Sequence, residues 1–150
     1  MKKLGIFTVI FLVAIGTVAL AAEGLIAVKS PYSADETLDR LEEIVKERGF
    51  TVFARIDHAA GAAKAGKSLR PTAVLIFGNP KGGTALMGCV QSIGIDLPLK
   101  ALAWENAAGQ VWLGYNDPAY LAQRHGIADC PPVAKMSTAV AAMIQAAVAE

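Results

Sequence analysis

The sequence predicts an α+β fold: a single domain with a mixed, mainly antiparallel sheet and helices packed on one face. Three observations carry this. Short runs rich in β-branched and aromatic residues alternate with segments whose apolar residues recur at helical spacing. Two of the strand-like runs, "LPLKALAWEN" (97–106) and "QVWLGYN" (110–116), are separated only by "AAG", a hairpin loop that excludes a purely parallel sheet. No repeat or low-complexity linker divides residues 23–150, so one core serves them all.

Each element has its own signal. "GLIAVKS" (24–30) reads as a first strand. A helix follows: Ser33 and Glu36 make a capping box, Leu38, Leu41, Ile44 and Val45 form its apolar stripe, and Gly49 stops it. Asp35, Asp39, Glu42, Glu43, Lys46 and Glu47 fill the opposite face, as a solvated helix surface requires. "FTVFARIDH" (50–58) alternates as a strand, "AAGAAKAG" (59–66) is a short helix or turn, and the nearly all-apolar "TAVLIFGN" (72–79) is a buried strand. "GTALMGCVQSIG" (83–94) reads as a helix, and the hairpin comes next. Asp117 as N-cap and Pro118 in the first turn open a helix that runs to His125-Gly126. A last helix, begun by proline, carries Val133, Met136, Val140, Met143, Ile144 and Val148 as its stripe.

Residues 1–22 have a different character. Met1-Lys2-Lys3 is followed by an uncharged run from Leu4 to Leu20 and by Ala19-Leu20-Ala21, a small-x-small pattern. This is the layout of a secretory signal peptide cleaved after Ala21 or Ala22. The run is also nearly long enough to span a bilayer, so an uncleaved N-terminal anchor is the alternative. Both place residues 23–150 outside the cytoplasm, periplasmic or secreted, or membrane-anchored and facing the periplasm. The membrane is a partner only through that uncleaved segment. Without Lys2 and Lys3, the 14 basic residues become 12 against 13 acidic ones, a net charge of −1. No basic patch marks a nucleic-acid partner.

The stretch "IFGNPKGG" (76–83) looks like a phosphate loop and fails as one. Gly78 and Gly83 have the Walker gap, but Thr84 stands where the lysine belongs, and Lys81 sits inside the loop. Amides at the following helix start could still meet an anion beside Lys81. Asp57 and His58 stand at a strand end, where Asp57 can cap a helix and His58 could act as a ligand or general base. His125 in "RHG" suits a helix C-terminus. Cys89 and Cys130 are the only cysteines; the readings are one disulfide, two free thiols or dispersed metal ligands, and no metal site is assigned. Met87, Cys89, Met136 and Met143 are soft side chains that could line a haem or copper pocket, though methionine is more often core filler. Covalent haem attachment is excluded, because no C-x-x-C-H occurs. Trp104, Trp112 and Tyr115 come from the hairpin, as ligand-stacking rings or as core and dimer contacts.

Four blocks in order, "FARIDHAAGA", "LRPTAVLIFGNPKGGTALM", "GIDLPLKALAWENAAGQVWLGYNDP" and "LAQRHGI", resemble the family known as domain of unknown function 302, over about residues 25–130. The resemblance implies a small α+β domain, often homodimeric and sometimes exported, with no activity established across the family. It directs attention to Asp57-His58, Phe77-Gly78-Asn79-Pro80 and Asp96-Leu97-Pro98-Leu99, and leaves Cys89 and Cys130 particular to this chain. The resulting expectation is a noncatalytic small-ligand binder with its site around Asp57, His58, Asn79 and Lys81. The alternatives are haem or metal binding, an enzyme using His58 as general base, and a homodimeric interaction module.

Overall fold

The computed structural model describes residues 22–150, so the candidate signal peptide or anchor at 1–22 lies almost wholly outside the described residues. The chain runs β1 (Leu25–Ser30), α1 (Ala34–Glu47), β2 (Thr51–Asp57), α2 (His58–Lys64), β3 (Thr72–Gly78) and α3 (Pro80–Cys89). A 3-10 turn at Gln91–Ile95 leads to β4 (Leu99–Glu105), β5 (Val111–Asn116), α4 (Pro118–Arg124) and α5 (Pro132–Val148). The sheet order is β1-β5-β4-β3-β2, and every pairing is antiparallel. The α+β expectation stands, and among the described residues the sheet has no parallel pair.

Alternation along the strands decides which face is covered. Leu75, Phe77, Ala101, Ala103 and Leu113 are fully buried on one face, and Leu38, Leu41 and Val45 of α1 with Val140, Met143 and Ile144 of α5 bury against them. Strand partners Ile56–Val74, Val74–Leu102 and Trp104–Trp112 point to the other face. None of these joins a buried cluster. Trp104 and Trp112 stack there with centroids 6.5 Å apart, while Tyr115 is buried on the helix-covered face, so the three hairpin aromatics do not act together. Gly114 admits that stack: a Cβ there would lie 2.8 Å from the Trp104 ring. Burial, and then the Asp117 charge, push the Tyr115 phenol pKa up.

Local chemistry sets the helix ends. Ser33 accepts from Glu36 N (3.2 Å), Asp57 from Ala60 N (2.8 Å) and Asp117 from Ala119 N (2.9 Å). The acidic face of α1 is not wholly solvated, because Arg55 of β2 binds Asp39 and Asp35 and ties α1 to the sheet edge. One boundary moves. The helix expected at 83–94 begins at Pro80, with Asn79 as N-cap, and ends at Cys89; residues 91–95 form the separate 3-10 turn. Proline in the first turn needs no amide partner, so "NPK" starts the helix instead of preceding it.

A second, smaller cluster of Leu86, Ile93, Ala122, Cys130 and Val133 joins α3, the 3-10 turn, α4 and the start of α5. Cys89 and Cys130 are bonded across it as a disulfide. The bond closes a loop with a sequence separation of 41, which in the chain-entropy model corresponds to about 3–4 kcal/mol. Reduction, or the pair Cys89→Ser and Cys130→Ser, is expected to lower stability by about that amount in a denaturant titration. Two alkylatable thiols in unreduced native protein would contradict the pairing.

Candidate functional site

The β3–α3 corner is built around Asn79. Its Oδ1 accepts from Lys81 N (3.0 Å), its carbonyl accepts from Gly83 N (3.0 Å), and its Nδ2 donates to the Gly49 carbonyl (3.1 Å) at the end of α1. Pro80 has no N–H to offer. The first turn of α3 thus satisfies most of its own donors, which is the reverse of a phosphate loop, where converging amides stay free for the ligand.

This corner forms one wall of a groove of about 880 Å³. The other walls are Phe50 and Phe53 around the start of β2, Leu97 and Pro98 before β4 (joined by a cis peptide), and Met136 with Ala139 on α5. The volume falls in the range of small-molecule sites. Glycine keeps it open: a Cβ on Gly82 would meet Met136 Cε at 3.0 Å, and one on Gly78 would meet Phe53 at 3.3 Å and Pro98 at 3.4 Å. Asn79, Thr84, Arg48, Lys81 and Lys135 supply its side-chain polar groups, and no carboxylate, histidine or cysteine lines it.

The residues singled out in the sequence separate into two places. Asn79 and Lys81 line the groove. Asp57 and His58 do not: Asp57 pairs with Ala73 while Thr51 pairs with Gly78, so they stand at the opposite end of the β2–β3 ladder, roughly 20 Å away. There Asp57 caps α2 and His58 is exposed as its first residue. The soft side chains also part. Met87 and Met136 line the groove, Met143 is fully buried in the main core, and Cys89 is in the disulfide. Among the described residues, no group of three or more His, Cys, Asp or Glu could hold a metal ion. Arg48, Phe53 and Lys135 were not legible as site residues, because only the fold carries them to one groove.

A second polar cluster lies beside the groove. His125 Nε2 is 2.7 Å from Asp96 Oδ2, its Nδ1 is 3.0 Å from Ser92 Oγ, and Arg124 Nη1 donates to Asp96 Oδ1 at 2.9 Å. The Asp96 and His125 side chains are only 15% and 11% exposed. Hydroxyl, imidazole and carboxylate are in line, yet the cluster's evident work is structural: it pins the 3-10 turn to the end of α4. The Ser92 hydroxyl is exposed, and none of the four residues lines the groove. His125 therefore does more than complement a helix end. Its neighbours are 29 and 33 positions away, beyond the reach of local pattern.

Comparison with known proteins places the chain. The family model described as "Domain of unknown function DUF302" matches residues 26–150. The chain belongs to the DUF302 family. A solved structure, the uncharacterized conserved protein DUF302 from Bacillus stearothermophilus, superposes with a TM-score of 0.68 over 85% of this chain and 97% of that one, at 22% identity, which shows the shared fold. Proteins named "Fluoride-specific ion channel FluC 1" in Brucella suis and Brucella abortus are each 53% identical over 104 residues, 69% of this chain. The chain spans only 41% and 38% of those two relatives. No helix among the described residues is long and apolar enough to cross a membrane.

Within this DUF302 domain, two of the three phrases that marked the family meet at the groove. Gly78, Asn79 and Pro80 form one side, and Leu97, Pro98 and Leu99 another. The Asp57-His58 phrase lies apart as a helix cap. Asp96→Ala should unfasten the 3-10 turn that positions Leu97 and Pro98, lowering stability by about 1–3 kcal/mol in chemical denaturation. Ser92→Ala, at an exposed hydroxyl, should stay within about 0.5 kcal/mol of the parent. Equal losses from both would show that Asp96 does not hold the turn.

Proposed function

We propose that this DUF302 domain is an exported, noncatalytic binder of a small ligand, held in the groove between the β3–α3 corner and α5. The groove itself carries the proposal: a glycine-lined, mainly apolar cleft of about 880 Å³ with a few polar groups at its border. Binding is favoured over catalysis because no imidazole, thiol or carboxylate lines the cleft, and His58 is too distant to serve a ligand there as general base. Export is supported by the charged start and apolar run of residues 1–22 and by the Cys89–Cys130 pairing, which suits an oxidising compartment.

Gly83 offers a direct test. It lies inside α3 without a positive φ, and a Cβ there would make an ordinary 3.7 Å contact with Leu97 Cδ1. Gly83→Leu fills the groove at a position where Gly83→Ala should be neutral or stabilising by up to about 1 kcal/mol. Native mass spectrometry of protein taken from its own exported compartment is expected to show a bound mass in the parent and the Ala variant and none in the Leu variant. A ligand-free parent, or a bound mass unchanged in Gly83→Leu, would remove the groove as the site.

The uncovered sheet face favours a second role, as a homodimeric interaction module. A solvated antiparallel face normally reads polar. This one carries Ala54, Ile56, Val74, Ile76 and Leu102 with the Trp104–Trp112 stack, interrupted by Lys29 and Lys100, and a second copy of the same face would cover its apolar part. The longer relatives named as fluoride channels fit the same picture, in which the domain is an accessory module joined to a membrane protein. Light scattering at tens of micromolar should give a dimer mass, and Val74→Glu should give a folded monomer. A monomeric parent, or a Val74→Glu dimer, would count against this face as the contact.

A further inference from the structure

We infer that the ligand of the groove is a single-chain amphiphile ending in an anionic headgroup. This rests on the reading that the groove binds a small ligand, and adds its chemical class. Three observations converge on it.

The first is charge. Arg48, Lys81 and Lys135 line the groove from three different elements, and no Asp or Glu lines it. Among the described residues, none of the three has a carboxylate within 4.0 Å; the ion pairs that form use other cations. Three cations brought to one cleft repel one another unless an anion joins them.

The second is where two of those cations sit. Lys81 is in the first turn of α3 and Lys135 in the first turn of α5, and neither turn contains an acidic residue. A helix N-terminus carries partial positive charge, so a lysine there is at the unfavourable end. Arg48, just past the end of α1, is at the favourable end and follows the usual pattern. An anion between the α3 and α5 starts would offset the charge of both lysines and the partial positive charge of both helix ends.

The third is the apolar remainder. Phe50, Phe53, Met87, Leu97, Leu99 and Met136 surround the cleft. Phe53 and Met87 are among the few large apolar side chains left exposed, at 55% and 37%. An inorganic anion would use the cations and leave this surface wet; a hydrocarbon chain would cover it. Methionine and glycine make the walls adaptable, which suits a flexible chain more than a rigid ring.

The test is calorimetric titration of the full mature chain with dodecanoate and dodecyl phosphate, each below its aggregation threshold. Decanoate, dodecanol, dodecyltrimethylammonium, inorganic phosphate and fluoride complete the set. Both long-chain anions are expected to bind, with decanoate roughly tenfold weaker for its two missing methylenes. Dodecanol should bind more weakly than dodecanoate, and the quaternary ammonium should not bind. The double variant Lys81→Gln/Lys135→Gln should lose roughly tenfold in dodecanoate affinity and leave dodecanol unchanged. Dodecanol binding as tightly as dodecanoate would overturn the anionic headgroup and leave the groove standing. Inorganic phosphate or fluoride binding as tightly as dodecanoate would overturn the hydrocarbon chain. Stable co-flotation with anionic phospholipid vesicles, with no response to free dodecanoate, would replace a bound amphiphile by a lipid surface. Silence toward every probe, together with a native mass that Gly83→Leu does not change, would remove the groove reading as well.

Discussion

The rest of the structure depends on the burial of α5 along its whole length. Its second half supplies Val140, Met143, Ile144 and Ala147 to the main core, where α1 and the sheet close over them. Its first half runs past the edge of that core, giving Val133 to the smaller cluster and Met136 and Ala139 to the groove. A helix of 17 residues spans about 25 Å, long enough to serve both. Fixing α5 over the sheet therefore also fixes one wall of the candidate site. The disulfide then ties the end of α3, the opposite wall, to the residue that leads into α5. Core and groove are coupled through one rigid element, so a loss of packing around Met143 or Ile144 would be felt at Lys135.

The sheet shows the complementary constraint. Five antiparallel strands present two faces, and the helices among the described residues close one of them. The other keeps apolar residues that alternation alone would make polar, and the Trp104 ring, stacked with Trp112, lies over Gly114. A face of that composition is tolerable when half-buried by its own neighbours and better satisfied against a flat partner. The groove and the open face lie on different parts of the domain and differ in kind. One is a concave cleft with three cations and a glycine-rich wall; the other is a broad aliphatic and aromatic surface that also carries Lys29, over the Trp112 ring, and Lys100.

Legibility in the sequence tracks the range of the interactions. The strand and helix order, the caps at Ser33, Asp57 and Asp117, and the stripes of α1 and α5 all arise from neighbours within four or five residues, and they read directly. α3 starts at Pro80, ahead of the doubled glycine at Gly82-Gly83 that resembles a boundary, because Asn79-Pro80 is the cap. Asp57 and His58 lie apart from Asn79 and Lys81 for a topological reason. In an antiparallel ladder, the end of β2 is farthest from the end of β3. The link from Asp96 to His125, and the meeting of Arg48, Lys81 and Lys135, depend on contacts across the fold that no local period encodes.

The corner at Asn79 shows how one short stretch can look like one kind of anion site and support another. A phosphate loop leaves its backbone amides free and lets them do the recognition. Here the Asn79 side chain and carbonyl occupy the Lys81 and Gly83 amides, and its Nδ2 fastens the corner to the residue after α1. Two of the first-turn amides are thereby taken, and the cations of Arg48, Lys81 and Lys135 carry most of the charge at the groove. Side-chain cations on separate elements give a looser, more tolerant charge than a ring of fixed amides. That tolerance matches the walls beneath, where glycines leave room and methionines adapt. A tight amide cradle would select a headgroup by shape, whereas the amphiphile proposed for this groove would be selected by the sign of its headgroup's charge and the length of its chain.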